Sequence, residues 1–263
     1  MTINRIKGIV YNIMNHLFIQ TPKGKRLVWY LAAEEYFATR LNELAQTVGQ
    51  EIEGVLFTWI VEPTVIFGRH QVMENEVNTN FCREQGIAMY RRKSGGGCVY
   101  ADKGNLMISY LAPSTHSEQV FQDYLDKMSA CLGELGYEAV KSTHNDIMIG
   151  EHKVSGNACF ALLHSTIVHG TMLYDVDFNQ LQQAITPSKE KLAKHGVESV
   201  RQRVINLKDI VTASPQRFHS TEELADEISR VWCKEYYEPT IEDLEAIDAI
   251  EAEYLKPEFI YSK

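Results

Sequence analysis

Apolar positions along this chain fall into two kinds of run, and their spacing predicts the elements. Residues 27–45 carry Leu31, Tyr36, Leu41 and Leu44 among their apolar positions, with no internal glycine or proline, and read as one early helix. Residues 55–60 and Thr64–Phe67 are strand-like on either side of Glu62-Pro63, where proline has no amide to donate and favours a turn. Tyr90 opens a strand pair around a glycine-rich loop, and the apolar run 106–111 is ended by Pro113. A second helix starts near Ser117, with Val120, Phe121, Tyr124, Leu125, Met128, Cys131, Leu132 and Leu135 on one face before Gly136. That spacing puts Cys131 in the core. Residues 137–177 break into short strand-like pieces, as an antiparallel meander does. Ser220-Thr221-Glu222-Glu223 reads as a capping box ahead of Leu224, Ile228, Val231 and Trp232, and Ile241–Tyr254 is a fourth helix. Strands interrupted by unevenly spaced helices predict an α+β fold rather than a regular alternation around a parallel sheet.

Bulk properties narrow the classes. At 263 residues, with 44% hydrophobic and 23% charged positions, the chain has the composition of an ordinary soluble protein, and one domain is expected. No segment approaches the ~20 apolar residues that span a bilayer. The N-terminal Met1-Thr2-Ile3-Asn4-Arg5-Ile6-Lys7 lacks the apolar stretch of a secretory signal, so a cytoplasmic location is expected, with no membrane partner. Five cysteines, Cys82, Cys98, Cys131, Cys159 and Cys233, are widely spaced and form no CxxC pair, which suggests neither a disulfide framework nor a zinc site. A formal charge of −9 argues against a broad nucleic-acid surface. Locally the balance reverses: Lys189, Lys191, Lys194, Arg201, Arg203 and Lys208 stand against only Glu190 and Glu198. That stretch is either a solvated face or a docking patch for an acidic partner.

The chemistry concentrates in two segments. In Arg91-Arg92-Lys93-Ser94-Gly95-Gly96-Gly97-Cys98-Val99-Tyr100, two arginines meet three glycines before a strand-like run. Glycine reaches φ > 0 cheaply, so successive amides can turn toward an anion, and arginine supplies a permanent forked donor. A bulge or a flexible loop is the bland account of such a triplet. The second segment is Asn145-Asp146-Ile147-Met148-Ile149-Gly150-Glu151-His152-Lys153-Val154-Ser155-Gly156-Asn157-Ala158. Asn145 and Asp146 offer hard oxygens suited to Mg²⁺, or simply an Asn-Asp turn.

With Asp102 to Asn105, the His169 to Leu173 stretch, Ile66 to Gln71 and Gly196 to Leu207, these segments resemble the lipoate-protein ligase A family. Its pattern reads RR.SGGG.V, D..GN, NDI...G.KVSG.A and HGT.L. The blocks occur in order over most of the chain, so chance is a poor account of them, although each alone is weak. The resemblance implies the mixed, largely antiparallel sheet with flanking helices shared with biotin ligases and class II tRNA synthetases, in a single catalytic domain over residues 1–263. It implies ATP-dependent activation of lipoate to lipoyl-AMP, then transfer to a lysine of a carrier: the lipoyl domain of a 2-oxoacid dehydrogenase or the glycine-cleavage carrier protein. Lys153 would be the catalytic cation, and Arg92, Gly97, Cys98, Val99, Tyr100 and Lys153 would bind ATP. Gly95, Gly96, Lys153, Gly156, Ala158 and His169 would bind lipoate, and Asn145 and Asp146 would hold Mg²⁺. Arg91 is left between ligand and ion-pairer.

Departures from the family pattern are as informative. Ala101-Asp102 stands where relatives often have His-Asp, and Lys93 replaces a small polar residue. Many relatives continue into a small C-terminal accessory domain for which this sequence has no room, so an accessory domain on a separate polypeptide is one expectation. Three other activities fit parts of the pattern. An octanoyl- or lipoyltransferase with a cysteine acyl-enzyme shares the fold, but Ser188, after Thr186-Pro187, occupies the place of one group's nucleophile; Cys98 and Cys159 are the substitutes near the site. A biotin ligase would carry a loop like GRGRxGR. A non-catalytic carrier-binding protein would not need the charged groups retained here.

Overall fold

The computed structural model describes residues 5–6, 9–10, 15–143, 145–185, 204–211 and 218–261. A two-stranded hairpin, β1 (Arg5–Ile6) and β2 (Ile9–Val10), precedes the body of the fold. The chain then runs through β3 (His16–Ile19), α1 (Leu27–Ala38), α2 (Leu41–Val48), β4 (Gly54–Trp59), β5 (Thr64–Phe67), α3 (Met73–Glu76) and α4 (Thr79–Glu84). Next come β6 (Ala88–Arg91), β7 (Val99–Ala101), β8 (Asn105–Ala112), α5 (Ser117–Glu134), β9 (Ala139–Lys141), β10 (Asp146–Ile149), β11 (His152–Ala161), β12 (Thr166–Leu173) and α6 (Phe178–Ala184). After a 3₁₀ turn at Leu207–Asp209 it ends in α7 (Thr221–Trp232), β13 (Glu235–Tyr237), α8 (Ile241–Tyr254) and α9 (Pro257–Ile260).

Strands β13-β3-β4-β8-β12-β11-β10-β9 form one eight-stranded sheet, in which only the β13–β3 and β3–β4 pairs are parallel. A smaller sheet, β6-β5-β7, lies beside it. The fold is the expected α+β class with a mixed, largely antiparallel sheet, and residues 137–177 form the expected meander of β9 to β12. The central strands β8 and β12 are buried along their whole length because both faces are covered. On β4, Val55, Phe57 and Trp59 face a core shared with α1, α2 and α8, while Leu56 faces a second core under α5 and α7. On β8, Met107 and Leu111 point to the first core, and Leu106, Ile108 and Tyr110 to the second. Helix α5 buries the predicted stripe, including Cys131. No helix among the described residues is long and apolar enough to cross a membrane.

Two local expectations are corrected. The helix read over 27–45 breaks after Ala38, where Thr39 turns its hydroxyl back to the Tyr36 carbonyl (2.8 Å) and Arg40 leaves helical geometry before α2 begins. At α7, Ser220 accepts from the Glu223 amide, but the Glu223 carboxylate accepts from the His219 amide rather than closing the box on Ser220. A reciprocal box forms instead at α8, between Thr240 and Asp243.

That second box also docks the C-terminal helices. Asp243 accepts from Tyr36 (2.6 Å), Tyr237 (2.6 Å) and the Thr240 amide (2.8 Å), joining α8 to α1 and to edge strand β13. Trp29 donates to Asp248 at 2.7 Å, and Arg26 grips Glu251 with two bonds of 3.1 Å. Burial pushes the Asp243 carboxyl up, but these donors outweigh it and hold the group below the ordinary carboxylate value. A carboxylate held low in the folded state stabilises the fold above its unfolded pKa of about 3.9, and that contribution disappears as pH falls through the folded value. Asp243→Asn is therefore expected to cost about 0.5–2 kcal/mol at pH 7 and to flatten the acid limb of stability against pH below about pH 4. Urea denaturation across pH reads both effects; an unchanged acid limb contradicts the assignment.

Candidate active site

A β-bulge aims the key lysine. Strands β10 and β11 pair Asp146 with Gly156 and Ile147 with Ser155, but then Met148 with Lys153, so Val154 is the extra residue. Without it, Lys153 and Gly156, three apart, would point to opposite faces of the sheet. With it, Val154 sinks into the second core while Lys153 and Gly156 face the same cavity. The Lys153 ammonium folds over Gly156 so closely that a β-carbon there would lie 2.5 Å from Nζ. The same ammonium lies 2.7 Å from Asp146 Oδ1, a buried oxygen outside hydrogen-bond geometry. Asn157 fixes this corner, because its amide NH₂ donates to the Asn145 carbonyl (3.0 Å) while Asn145 donates back to the Asn157 carbonyl (2.8 Å).

The glycine loop faces this corner across a cavity of about 520 Å³. Gly96 has φ +92°, a conformation that L side chains rarely adopt. The amides of Gly95, Gly96 and Gly97 donate no hydrogen bond among the described residues, whereas the carbonyls of Gly95 and Gly97 both accept one. Arg92 does the occupying: its Nη2 donates to Gly95 and Gly97 carbonyls (both 2.7 Å), its Nη1 to Ile66 (3.3 Å), and its Nε to Ser94 Oγ (3.0 Å). Consecutive amides without an internal acceptor, beside carbonyls held by a guanidinium, are the arrangement in which a loop can take an anion. Burial pulls the Arg92 pKa down to about 10, still far above neutrality.

A polar chain runs from the loop into the core. Ser94 Oγ lies 2.7 Å from His169 Nε2, and His169 Nδ1 lies 2.9 Å from Glu34 Oε2. Ser109 donates to Glu34 Oε1 at 2.6 Å and itself accepts from Trp59 Nε1 at 2.9 Å. Because Ser94 Oγ already accepts from Arg92, its own proton is directed to His169 Nε2, and His169 carries its proton on Nδ1 toward the carboxylate. Glu34 is 1% exposed on a helix buried on nearly all sides. An unpaired carboxylate there would be costly, and this network supplies its partners.

The structure brings most of the predicted residues together. Arg92, Gly96, Gly97, Cys98, Val99, Asn145, Asp146, Lys153, Gly156, Ala158 and His169 line the one cavity. Gly95, expected to touch lipoate, is exposed and is not among the lining residues. Tyr100 departs from the expectation: alternation along β7 turns its ring into a separate small core with Val65, Phe67 and Cys82, where its hydroxyl reaches Gln180, while Val99 faces the cavity. Arg92, read as a nucleotide ligand, and Arg91, left between ligand and ion-pairer, both donate to the protein's own carbonyls. Sequence reasoning missed Glu34, Asn157 and the apolar floor of Leu31, Trp59 and Met107. The signal for Glu34 was present, since an acid inside a helix with no polar face needs a buried partner. Cys159 faces the second core, on the side of the sheet away from the cavity, and burial raises its thiol pKa. Lys189, Lys191, Lys194, Arg201 and Arg203 of the basic stretch, and Thr186-Pro187-Ser188, lie outside the described residues; Lys208 pairs with Asp175.

Replacing Glu34 by Gln leaves one acceptor where Ser109 and His169 both donate. The variant is expected to lose about 1–3 kcal/mol, read from its urea midpoint; an undiminished midpoint would mean the carboxylate is not needed by its neighbours.

Residues 30–230 match the family model of the lipoyl protein ligase A/B catalytic domain. The chain is 34% identical over 182 residues to lipoate-protein ligase LplJ of Bacillus subtilis, an alignment covering 69% of this chain and 53% of that protein. It is 32% identical over 199 residues to a probable lipoate-protein ligase A of Mycoplasma pneumoniae, covering 74% and 56% respectively. It thus spans about half the length of the curated relatives it matches. Among solved structures, an archaeal bi-partite lipoate protein ligase from Thermoplasma acidophilum, described with its E2 lipoyl domain, shares the fold at TM-score 0.75 and 24% identity, over 94% of this chain and 96% of that one. A lipoate-protein ligase A bound with ATP does so at TM-score 0.74 and 23% identity, over 94% and 98%. The fold is therefore one shared with solved lipoate ligases, and the chain belongs to the lipoyl protein ligase A/B catalytic-domain family.

Proposed function

We propose that the cavity joins lipoate to ATP, forming lipoyl-AMP and pyrophosphate, and passes the lipoyl group to a carrier lysine. The observation that carries this reading is the placement of Lys153 and of the open amides of Gly96 and Gly97 in one cavity, with the Gly95 amide next in the loop. The lipoate carboxylate would attack the α-phosphorus; a new O–P bond forms as the bond to the β-phosphate oxygen breaks. Two anions must first be held together, and neither step needs a nucleophile from the protein. The loop amides suit the phosphate oxygens, and the Lys153 ammonium suits the point where carboxylate and α-phosphate meet. The apolar floor of Leu31, Trp59 and Met107 suits the aliphatic tail and keeps water from the mixed anhydride. In the second step the acceptor amine attacks the acyl carbon, AMP leaves, and the amine loses a proton.

Mg²⁺ fits the residues present. Asp146, whose Oδ1 is ion-paired with Lys153 but makes no hydrogen bond, and Asn145 beside it offer hard oxygens, and no cluster of three metal-binding side chains gathers among the described residues. An ion shared with substrate phosphates needs only one or two protein carboxylates. It would supply charge neutralisation at the phosphates.

The acceptor we propose is the lipoyl domain of a 2-oxoacid dehydrogenase or the glycine-cleavage carrier, in keeping with the archaeal relative described with its E2 lipoyl domain. Such carriers are acidic, so the basic stretch 189–208 is the proposed docking surface.

The experiment combines the purified chain with ATP, Mg²⁺, lipoate and an apo lipoyl domain, following pyrophosphate release and carrier mass separately. Lys153→Ala is expected to lower both by about 10²–10³-fold while its melting temperature stays with the parent. Cys98→Ser is expected to retain transfer. Full transfer by folded Lys153→Ala would remove the assigned role, and loss of transfer in Cys98→Ser with a trapped thioester would install the acyl-enzyme route instead.

A further inference from the structure

The four residues that precede the glycines are all anchored, and two anchors reach the C-terminal helices. Arg91 is 2% exposed. Its Nη1 donates to the carbonyls of Gly68 (3.3 Å), Arg69 (2.9 Å) and Gln71 (2.8 Å), and its Nε is shared between Phe259 (3.0 Å) and Ile260 (3.1 Å). One side chain thus joins β6, the turn 68–71 and α9. The turn touches the glycine loop directly, since the Arg69 amide donates to the Ser94 carbonyl at 2.9 Å. A parallel tie runs to α8: Lys93 pairs with Glu35 at 2.7 Å and lies 4.6 Å above the Tyr254 ring, and the Tyr254 hydroxyl bonds the same carboxylate.

Carbonyls from two separate segments converge on a single guanidinium, and buried carbonyls without donors are costly. A lysine could not replace it: a compact ammonium has three donors and cannot span five acceptors spread over a turn and a helix end.

We propose that α9 is a working part of the nucleotide site: its carbonyls, through Arg91, hold the turn 68–71 against Ser94 and so keep the amides of Gly95 to Gly97 presented to phosphate. Arg91 is then a positioning residue that touches no substrate. The claim rests on the glycine loop being the phosphate cradle, as set out under Proposed function. Its consequence is that a partner lifting α9 from β6 would weaken nucleotide binding without entering the cavity.

The test compares the full chain with Arg91→Lys and with a chain ending at Lys256. Amide hydrogen exchange is followed at Arg69, Gln71 and Arg92, whose amides are bonded in this turn and loop, and at β8 and β12 as the core reference. KM for ATP and for lipoate is measured in lipoate-dependent pyrophosphate release. Both variants are expected to speed exchange at the three amides by about tenfold or more while β8 and β12 keep their protection. KM for ATP should rise about tenfold, with KM for lipoate within about twofold. Arg91→Lys leaves α9 in place and decides the question where the shortened chain does not fold. Unchanged exchange at the three amides in a folded variant overturns the proposal, and so does equal acceleration throughout the core, which would make Arg91 merely structural. If the full chain releases no pyrophosphate, the ligase reading falls, while the exchange data still decide whether α9 holds the loop.

Discussion

The site depends on a glycine loop in which two carbonyls, of Gly95 and Gly97, are held by one guanidinium while the three glycine amides donate to nothing among the described residues. That guanidinium is Arg92. Keeping such a loop in shape demands a rigid frame, because three glycines contribute no packing and lose the most conformational freedom on ordering. The frame is polar and buried: Arg91 below, Lys93 to one side, Ser94 tied through His169 to Glu34. The positive charges nearest the loop therefore act at one remove. They organise dipoles, and the dipoles face the cavity.

Opposite stands a single cation placed by an irregularity. The extra residue Val154 turns Lys153 to the face that Gly156 lines, and the missing side chain at Gly156 leaves room for the ammonium. Asp146 holds it there without covering it fully, since about a third of the lysine side chain is exposed. Cradle and cation come from different parts of the sheet system, the loop from β6–β7 of the small sheet and the lysine from β10–β11 of the large one. Their separation is set by the cores that pack the two sheets together, and this ties the stability of the fold to the geometry of the site.

Much of this was legible in the residues. The apolar run 106–111, ended by Pro113, marked the strand that became β8, and the stripe on α5 gave both its extent and the burial of Cys131. The order of the motif blocks identified the family and most of the cavity lining. Other features were hidden for physical reasons. A bulge depends on cross-strand register, which Lys153-Val154-Ser155 does not encode by itself. Nothing in Arg91-Arg92 says whether a guanidinium points out to a ligand or back to carbonyls from residues 66 to 71 and 259 to 260, since those partners are distant in sequence. The single helix read over 27–45 failed because Thr39 and Arg40 offer no glycine or proline to mark the break. Tyr100 was grouped with Val99 by motif, although strand alternation sends adjacent side chains to opposite faces.

The central claim is that the open amides of Gly95 to Gly97 and the Lys153 ammonium grip one phosphate between them. Titration of the isotopically labelled chain with a non-hydrolysable lipoyl-adenylate analogue, followed by NMR at the three glycine amides and the Lys153 side chain, tests it most directly. The account predicts that the glycine amide protons move downfield together, as donors do on binding an anion, with the lysine signal shifting at the same ligand concentration. Saturable binding that leaves the glycine amides in place and perturbs residues outside the cavity would contradict it.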